Sequence, residues 1–221
     1  MKNDSWARKP SKVYDHMFGK DEICQLIDWF KVVPNSESSE LMEDYKVAVN
    51  KNLDYHIPDT FAREIIKPKM DMIFGEDHTC RGGSYKEISK PHPTHIDNDD
   101  FHRPIAHLFT TTDRKYEAMV IIPLMEHPEA RTVFFDIFDD KDPGVGTEMP
   151  TDWLTDNNGL PASWFAHHKE SVANQCLQLP VDQVVQWKVG SVIVWGVDQL
   201  HCSTDYTPFG LTKKFIFLMV A

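Results

Sequence analysis

The sequence predicts a mainly β fold, an antiparallel jelly roll preceded by helices, and three observations lead there. Short β-rich runs separated by turn residues recur from Ser84 to the C-terminus. Helical periodicity is confined to the first third of the chain. The helices precede the strands instead of alternating with them, which argues against a parallel sheet. A length of 221 residues suits one domain around a single core, with residues 1–80 as mostly helical support and 81–221 as the jelly-roll core.

The elements follow in order. Asp21 to Val33 sets Ile23, Leu26, Ile27 and Phe30 at helical spacing, with Asp21 as the expected N-cap and Pro34 as the stop. Asp59 to Phe74 repeats the pattern with Phe61, Ile65, Ile66, Met70 and Ile73, capped at Asp59 or Thr60 and followed by Gly75; Pro68 argues against an unbroken helix there. After Arg81-Gly82-Gly83 the strands expected are Ser84 to Ser89, Thr94 to Asp97, Ala118 to Met125, Arg131 to Phe138, Gln183 to Trp187, Ser191 to Trp195, His201 to Asp205 and Lys213 to Val220. Together they predict a double-stranded β-helix, cupin-like, with the helices packed on one sheet.

Residues 139–176 interrupt this rhythm with several Pro and Gly but also hold Trp153, Trp164, Phe165, His167 and His168. Loops of this length are usually functional or disordered, and the aromatic content argues against disorder. Two readings stand: a lid that covers substrate, and a surface excursion with its own small core.

Composition narrows the function. Lys and Arg number 23 against 34 Asp and Glu, a net charge of −11, which disfavours nucleic acid as a partner. No apolar run approaches the roughly 20 residues that span a bilayer. The polar N-terminus lacks the apolar stretch of a secretory signal, so the expected location is cytoplasmic. The cysteines Cys24, Cys80, Cys176 and Cys202 form no C-x-x-C pair and read as reduced thiols.

The chemistry centres on Pro93-Thr94-His95-Ile96-Asp97. On a strand, residues two apart share a face, so His95 and Asp97 present an imidazole and a carboxylate together while Ile96 turns away. His201, after the strand Gly190 to Trp195, is the candidate third ligand. Two His and one carboxylate form the facial triad of non-haem Fe(II) sites, which leaves three metal positions open. His92 at i−3 would face the opposite side of such a strand. His102 and His107 are nearby polar residues, His167 and His168 diverge on any regular element, and Arg131 offers a further positive charge.

The segment Gly190-Ser191-Val192-Ile193-Val194-Trp195, followed by Gln199-Leu200-His201, resembles the distal signature of the 2-oxoglutarate/Fe(II)-dependent oxygenase superfamily, in its prolyl-hydroxylase-like and phytanoyl-hydroxylase-like branches. Tyr85, ten residues before His95, matches the spacing of a Tyr whose hydroxyl contacts the cosubstrate in prolyl-hydroxylase-like members. The family's basic residue on the last strand is matched by Lys213 or Lys214, twelve or thirteen residues after His201. The resemblance covers roughly Gly83 to Val220. The family's usual R-x-[ST] is absent, and Lys in place of Arg offers a compact ammonium instead of a planar fork.

Alternation lets only one of the two lysines face the interior. With Lys214 inward, Ile216, Leu218 and Val220 would line the barrel; with Lys213 inward, the larger Phe215, Phe217 and Met219 must fit there. The family's habit of an outward aromatic beside its basic residue favours Lys214. The resemblance thus implies Fe(II) on His95, Asp97 and His201, 2-oxoglutarate held by Lys214 or Lys213 with Tyr85, and O2-dependent hydroxylation of an unactivated C–H bond with release of succinate and CO2. The substrate expected is a small molecule or peptide. The competing readings are a cupin-like metalloenzyme that does not use 2-oxoglutarate and a non-catalytic jelly-roll binding module.

Overall fold

The structure, a computed structural model, describes Trp6 and residues 8–32, 47–52, 61–78, 80–97, 117–139 and 143–221. Strand β1 (Lys12–Tyr14) leads into helix α1 (Lys20–Val32), strand β2 (Val47–Asn52), helix α2 (Lys67–Phe74) and strand β3 (Cys80–Ile88). Strands β4 (Ala118–Pro123) and β5 (Arg131–Phe138) follow, then helix α3 (Glu170–Cys176), β6 (Val181–Gln186), β7 (Val192–Gly196), β8 (Gln199–Ser203) and β9 (Lys213–Val220). They form two antiparallel sheets, one in the order β1-β7-β4-β9-β3-β2 and one in the order β6-β5-β8. A β-bridge from His95 to His201 adds the His95 segment beside β8.

Three apolar clusters explain the layering. Ile23, Leu26 and Phe30 of α1 and Met70 of α2 pack on one face of the larger sheet, on Val120, Ile122, Val194, Ile216 and Leu218. The space between the sheets is filled by large side chains: Met119, Phe134, Trp187, Trp195, Phe215 and Met219. The outer face of the smaller sheet carries Val133, Phe135, Leu200 and Cys202, covered by Met149, Phe165, Val172 and Cys176 from the long excursion. That excursion therefore has its own small core against the smaller sheet.

Local details differ from expectation for identifiable reasons. Helix α1 is capped at Gly19, not Asp21: Glu22 reaches back to accept from the Gly19 amide at 2.7 Å, half of a capping box. A wider π-helical turn, Phe61–Ile66, runs into α2, and Pro68 sits in the first turn of α2, where its missing N–H costs nothing. Strands β1 and β2 were not expected; β1 is a three-residue edge strand, too short for an alternation pattern. The stop expected at Pro34, the cap at Asp59 or Thr60, and His102 and His107 lie outside the described residues.

The turn before β7 is tight. Gly190 has φ +81°, its carbonyl accepts from the Phe18 amide at 3.0 Å, and a Cβ there would stand 2.5 Å from the Phe18 carbonyl oxygen. Only glycine meets both conditions.

Candidate metal centre

The geometry begins with the backbone pairing of His95 and His201, whose amides and carbonyls exchange hydrogen bonds of 3.0 and 3.1 Å. This brings the two imidazoles onto the inner wall of the smaller sheet, with ring centroids 4.2 Å apart. Ile96 turns outward into the cluster under the excursion, and Asp97 returns to the inside. One donor atom from each of His95, Asp97 and His201 lies within 4.8 Å of the others.

The protonation pattern is fixed by the backbone. His95 Nδ1 is 2.8 Å from the Pro93 carbonyl and His201 Nδ1 is 3.0 Å from the Gln199 carbonyl. A carbonyl only accepts, so each Nδ1 carries a proton and each Nε2 is left to face the site. Both Nε2 atoms face Asp97, His95 at 3.5 Å from Oδ1 and His201 at 3.5 Å from Oδ2. Trp195 Nε1 donates to Asp97 Oδ2 at 2.9 Å and fixes the carboxylate plane. Burial alone would raise the Asp97 pKa, but His201, His95 and the Trp195 donor outweigh it and hold the carboxyl well below its usual range. Burial and the neighbouring His95 push His201 down to about 4, so it is a neutral ligand at ordinary pH.

A carboxylate flanked by two imidazoles is a donor set that suits a divalent metal, and these tautomers are the ones metal binding requires. Among the described residues no other group of His, Cys, Asp and Glu converges in this way.

The lysine of the last strand that faces the interior is Lys213, where the sequence reading favoured Lys214. Lys213 is 1% exposed; its ammonium donates to the Arg131 carbonyl at 2.6 Å and to Ser203 Oγ at 3.2 Å, over the rings of Trp187 and Tyr206. Burial pushes its pKa down to about 7. Lys214 points outward and pairs with Glu87 at 3.4 Å. The reason lies in packing: the space between the sheets holds aromatics, so Phe215, Phe217 and Met219 fit inside, and the slimmer Ile216, Leu218 and Val220 lie under the helices.

Tyr85 shares the outward face with Lys214. It stacks on Phe30 of α1 at 4.4 Å and donates its hydroxyl to Glu87, so it does not join Lys213 or the triad. Arg131 pairs with Glu129 at 2.6 Å and lies over Trp164, while its carbonyl serves Lys213.

The structure moves His92 to the other side from the one expected and gives His168 a role that no expectation covered. His92 lies with its ring centroid 3.9 Å from that of His95, on the same side, because Pro91 and Pro93 break strand alternation. His168 accepts from the Thr94 amide at 3.0 Å, with Thr94 Oγ1 at 2.8 Å, and so fastens the excursion to the segment carrying His95. The proline pair was a visible signal for the first; nothing in the sequence signalled the second.

No family model and no curated protein matches the sequence. The fold, in contrast, has many counterparts among solved structures. An oxidoreductase of the 2OG-Fe(II) oxygenase family from Burkholderia pseudomallei is similar at 12% identity and TM-score 0.56, over 96% of this chain and 84% of that one. HygX from Streptomyces hygroscopicus, solved with nickel, 2-oxoglutarate and hygromycin B, is similar at 11% identity and TM-score 0.56, over 97% and 83%. The non-heme alpha ketoglutarate dependent epimerase SnoN from nogalamycin biosynthesis is similar at 10% identity and TM-score 0.57, over 96% and 76%. At such identities the likeness establishes the fold, a double-stranded β-helix of the kind these enzymes share.

Proposed function

We propose that this chain is a non-haem Fe(II)- and 2-oxoglutarate-dependent oxygenase that hydroxylates an unactivated C–H bond of a small molecule. The observation that carries the reading is the convergence of His95 Nε2, His201 Nε2 and the Asp97 carboxylate on one point of the inner wall. Fe(II) would be held by these three groups, and with 2-oxoglutarate and O2 it supplies the oxidising power that cuts a C–H bond while the cosubstrate leaves as succinate and CO2.

The protein's own residues supply binding and orientation. The Pro93 and Gln199 carbonyls keep both imidazoles in the metal-binding tautomer, and Trp195 keeps Asp97 turned toward them. Lys213 is the anchor for the distal carboxylate of 2-oxoglutarate: among the described residues two of its donors are spent, on Arg131 O and Ser203 Oγ, which leaves the third for the ligand. Phe134, Trp195 and Phe217 give the interior an apolar wall that excludes water and strengthens charge contacts. The complex of HygX with hygromycin B supports a small molecule as the substrate class.

The test is uptake of O2 by Fe(II)-loaded protein given 2-oxoglutarate, with succinate measured in parallel. Stoichiometric succinate and O2 uptake support the reading. Oxygen uptake without succinate would point to a metalloenzyme that does not use 2-oxoglutarate, and neither would remove oxygenase chemistry.

A further inference from the structure

One interior cation has no role in the scheme above. Lys86 lies on β3 opposite Phe215 of β9, and its neighbours on the same face are Ser84 opposite Phe217 and Ile88 opposite Lys213. Residues paired across an antiparallel ladder share a face, so Lys86 points between the sheets along with Phe215, Phe217 and Lys213. Its ammonium lies 4.9 Å from the centroid of the Phe217 ring, and that ring in turn is 6.5 Å from Trp195, the residue that holds Asp97.

Among the described residues Lys86 has no hydrogen bond to a side chain or carbonyl and no salt bridge; the ring of Phe217 is its one direct partner. It is not sealed in, since its side chain is only partly buried. An ammonium partly withdrawn from water with a ring face as its partner is under-compensated, and a ligand anion reaching the same face would pair with it. Burial lowers its pKa, while Asp97 acts on it in the opposite sense.

Formal charge gives the class of ligand. The two positive charges of Fe(II) and the one of Lys213 are offset by Asp97 and by the two carboxylates of 2-oxoglutarate. Lys86 is then left over as an unbalanced cation on the same inner face, beside the rings of Phe215 and Phe217.

We propose that Lys86 is a substrate-specificity residue, and that the substrate carries an anionic group, such as a carboxylate, which it binds next to the Phe217 and Trp195 rings. This rests on the oxygenase reading and names the substrate class of the same site.

The experiment uses the full chain loaded with Ni(II) and saturated with 2-oxoglutarate, so that Lys213 is occupied and no turnover occurs. Binding of phenylacetate and hexanoate is compared by calorimetry with binding of their neutral amides, phenylacetamide and hexanamide. The carboxylates are expected to bind at least about tenfold tighter than the amides, the margin of a charge-assisted contact in a dry site. Lys86→Met should erase that preference, Lys86→Arg should keep it, and 2-oxoglutarate affinity should stay unchanged in both variants. A carboxylate preference that survives Lys86→Met, or its absence from the wild type, overturns the proposal. So does a loss of 2-oxoglutarate affinity in Lys86→Met, which would make Lys86 a cosubstrate residue. Failure of the parent reading is seen separately, before any probe is added, as a protein that takes up neither Ni(II) nor 2-oxoglutarate; that result overturns both.

Discussion

Replacing Lys213 by Met keeps the length of the side chain and removes its charge. The ammonium is buried, with Arg131 O at 2.6 Å and Ser203 Oγ at 3.2 Å, and no carboxylate of the described residues pairs with it. Removing one partner from a buried charge pair costs about 3–5 kcal/mol. Taking the lower figure of about 3 kcal/mol, the Kd for 2-oxoglutarate should rise by about 150-fold. Lys214→Met is the control. Its ammonium side chain is 47% exposed and paired only with Glu87 on the outer face, so it should leave the Kd unchanged. Calorimetric titration of 2-oxoglutarate into anaerobic Ni(II)-loaded protein reads both, with near-UV circular dichroism to verify that Lys213→Met keeps its packing around Trp187 and Tyr206. Near-wild-type affinity in Lys213→Met together with a large loss in Lys214→Met would refute the assignment of faces.

Cosubstrate affinity should also depend on pH. Lys213 is pushed down to about 7 by burial, and only its protonated form pairs with a dianion, so raising the pH removes the competent state. The Kd should be flat below about pH 7 and climb by up to about tenfold per unit above it; a flat profile from about pH 6 to 9 would contradict this. Trp195→Phe removes the donor to Asp97 Oδ2 and should weaken divalent-metal binding by about tenfold or more, measured by competition with a chelating dye. Gly190→Ala puts a Cβ 2.5 Å from the Phe18 carbonyl at φ +81° and should cost about 2 kcal/mol, a Tm drop of about 4–8 °C by calorimetry.

The sequence made the β-rich core and the grouping of His95, Asp97 and His201 legible because both follow from local order: alternation, turn residues and an H-x-D pair ahead of a distal His. Orientation was harder. Whether Lys213 or Lys214 faces inward depends on which side of β9 meets the aromatics of the other sheet, and that is a property of three strands at once. Tyr85 has the spacing of a cosubstrate contact, yet its parity on β3 sends it to the helical side against Phe30. His92 departs from strand alternation because Pro91 and Pro93 flank it and no strand runs there. The tie between His168 and Thr94 joins residues 74 apart in sequence and leaves no local trace.

In the proposed site three side chains from two segments share one Fe(II). Anaerobic equilibrium dialysis against Fe(II), followed by addition of 2-oxoglutarate, tests this most directly. Wild-type protein should take up iron stoichiometrically and develop the weak visible charge-transfer band of a chelated 2-oxoacid, and His201→Ala and Asp97→Ala should do neither. Stoichiometric iron and the same band in His201→Ala, or no iron uptake by the wild type, would contradict it.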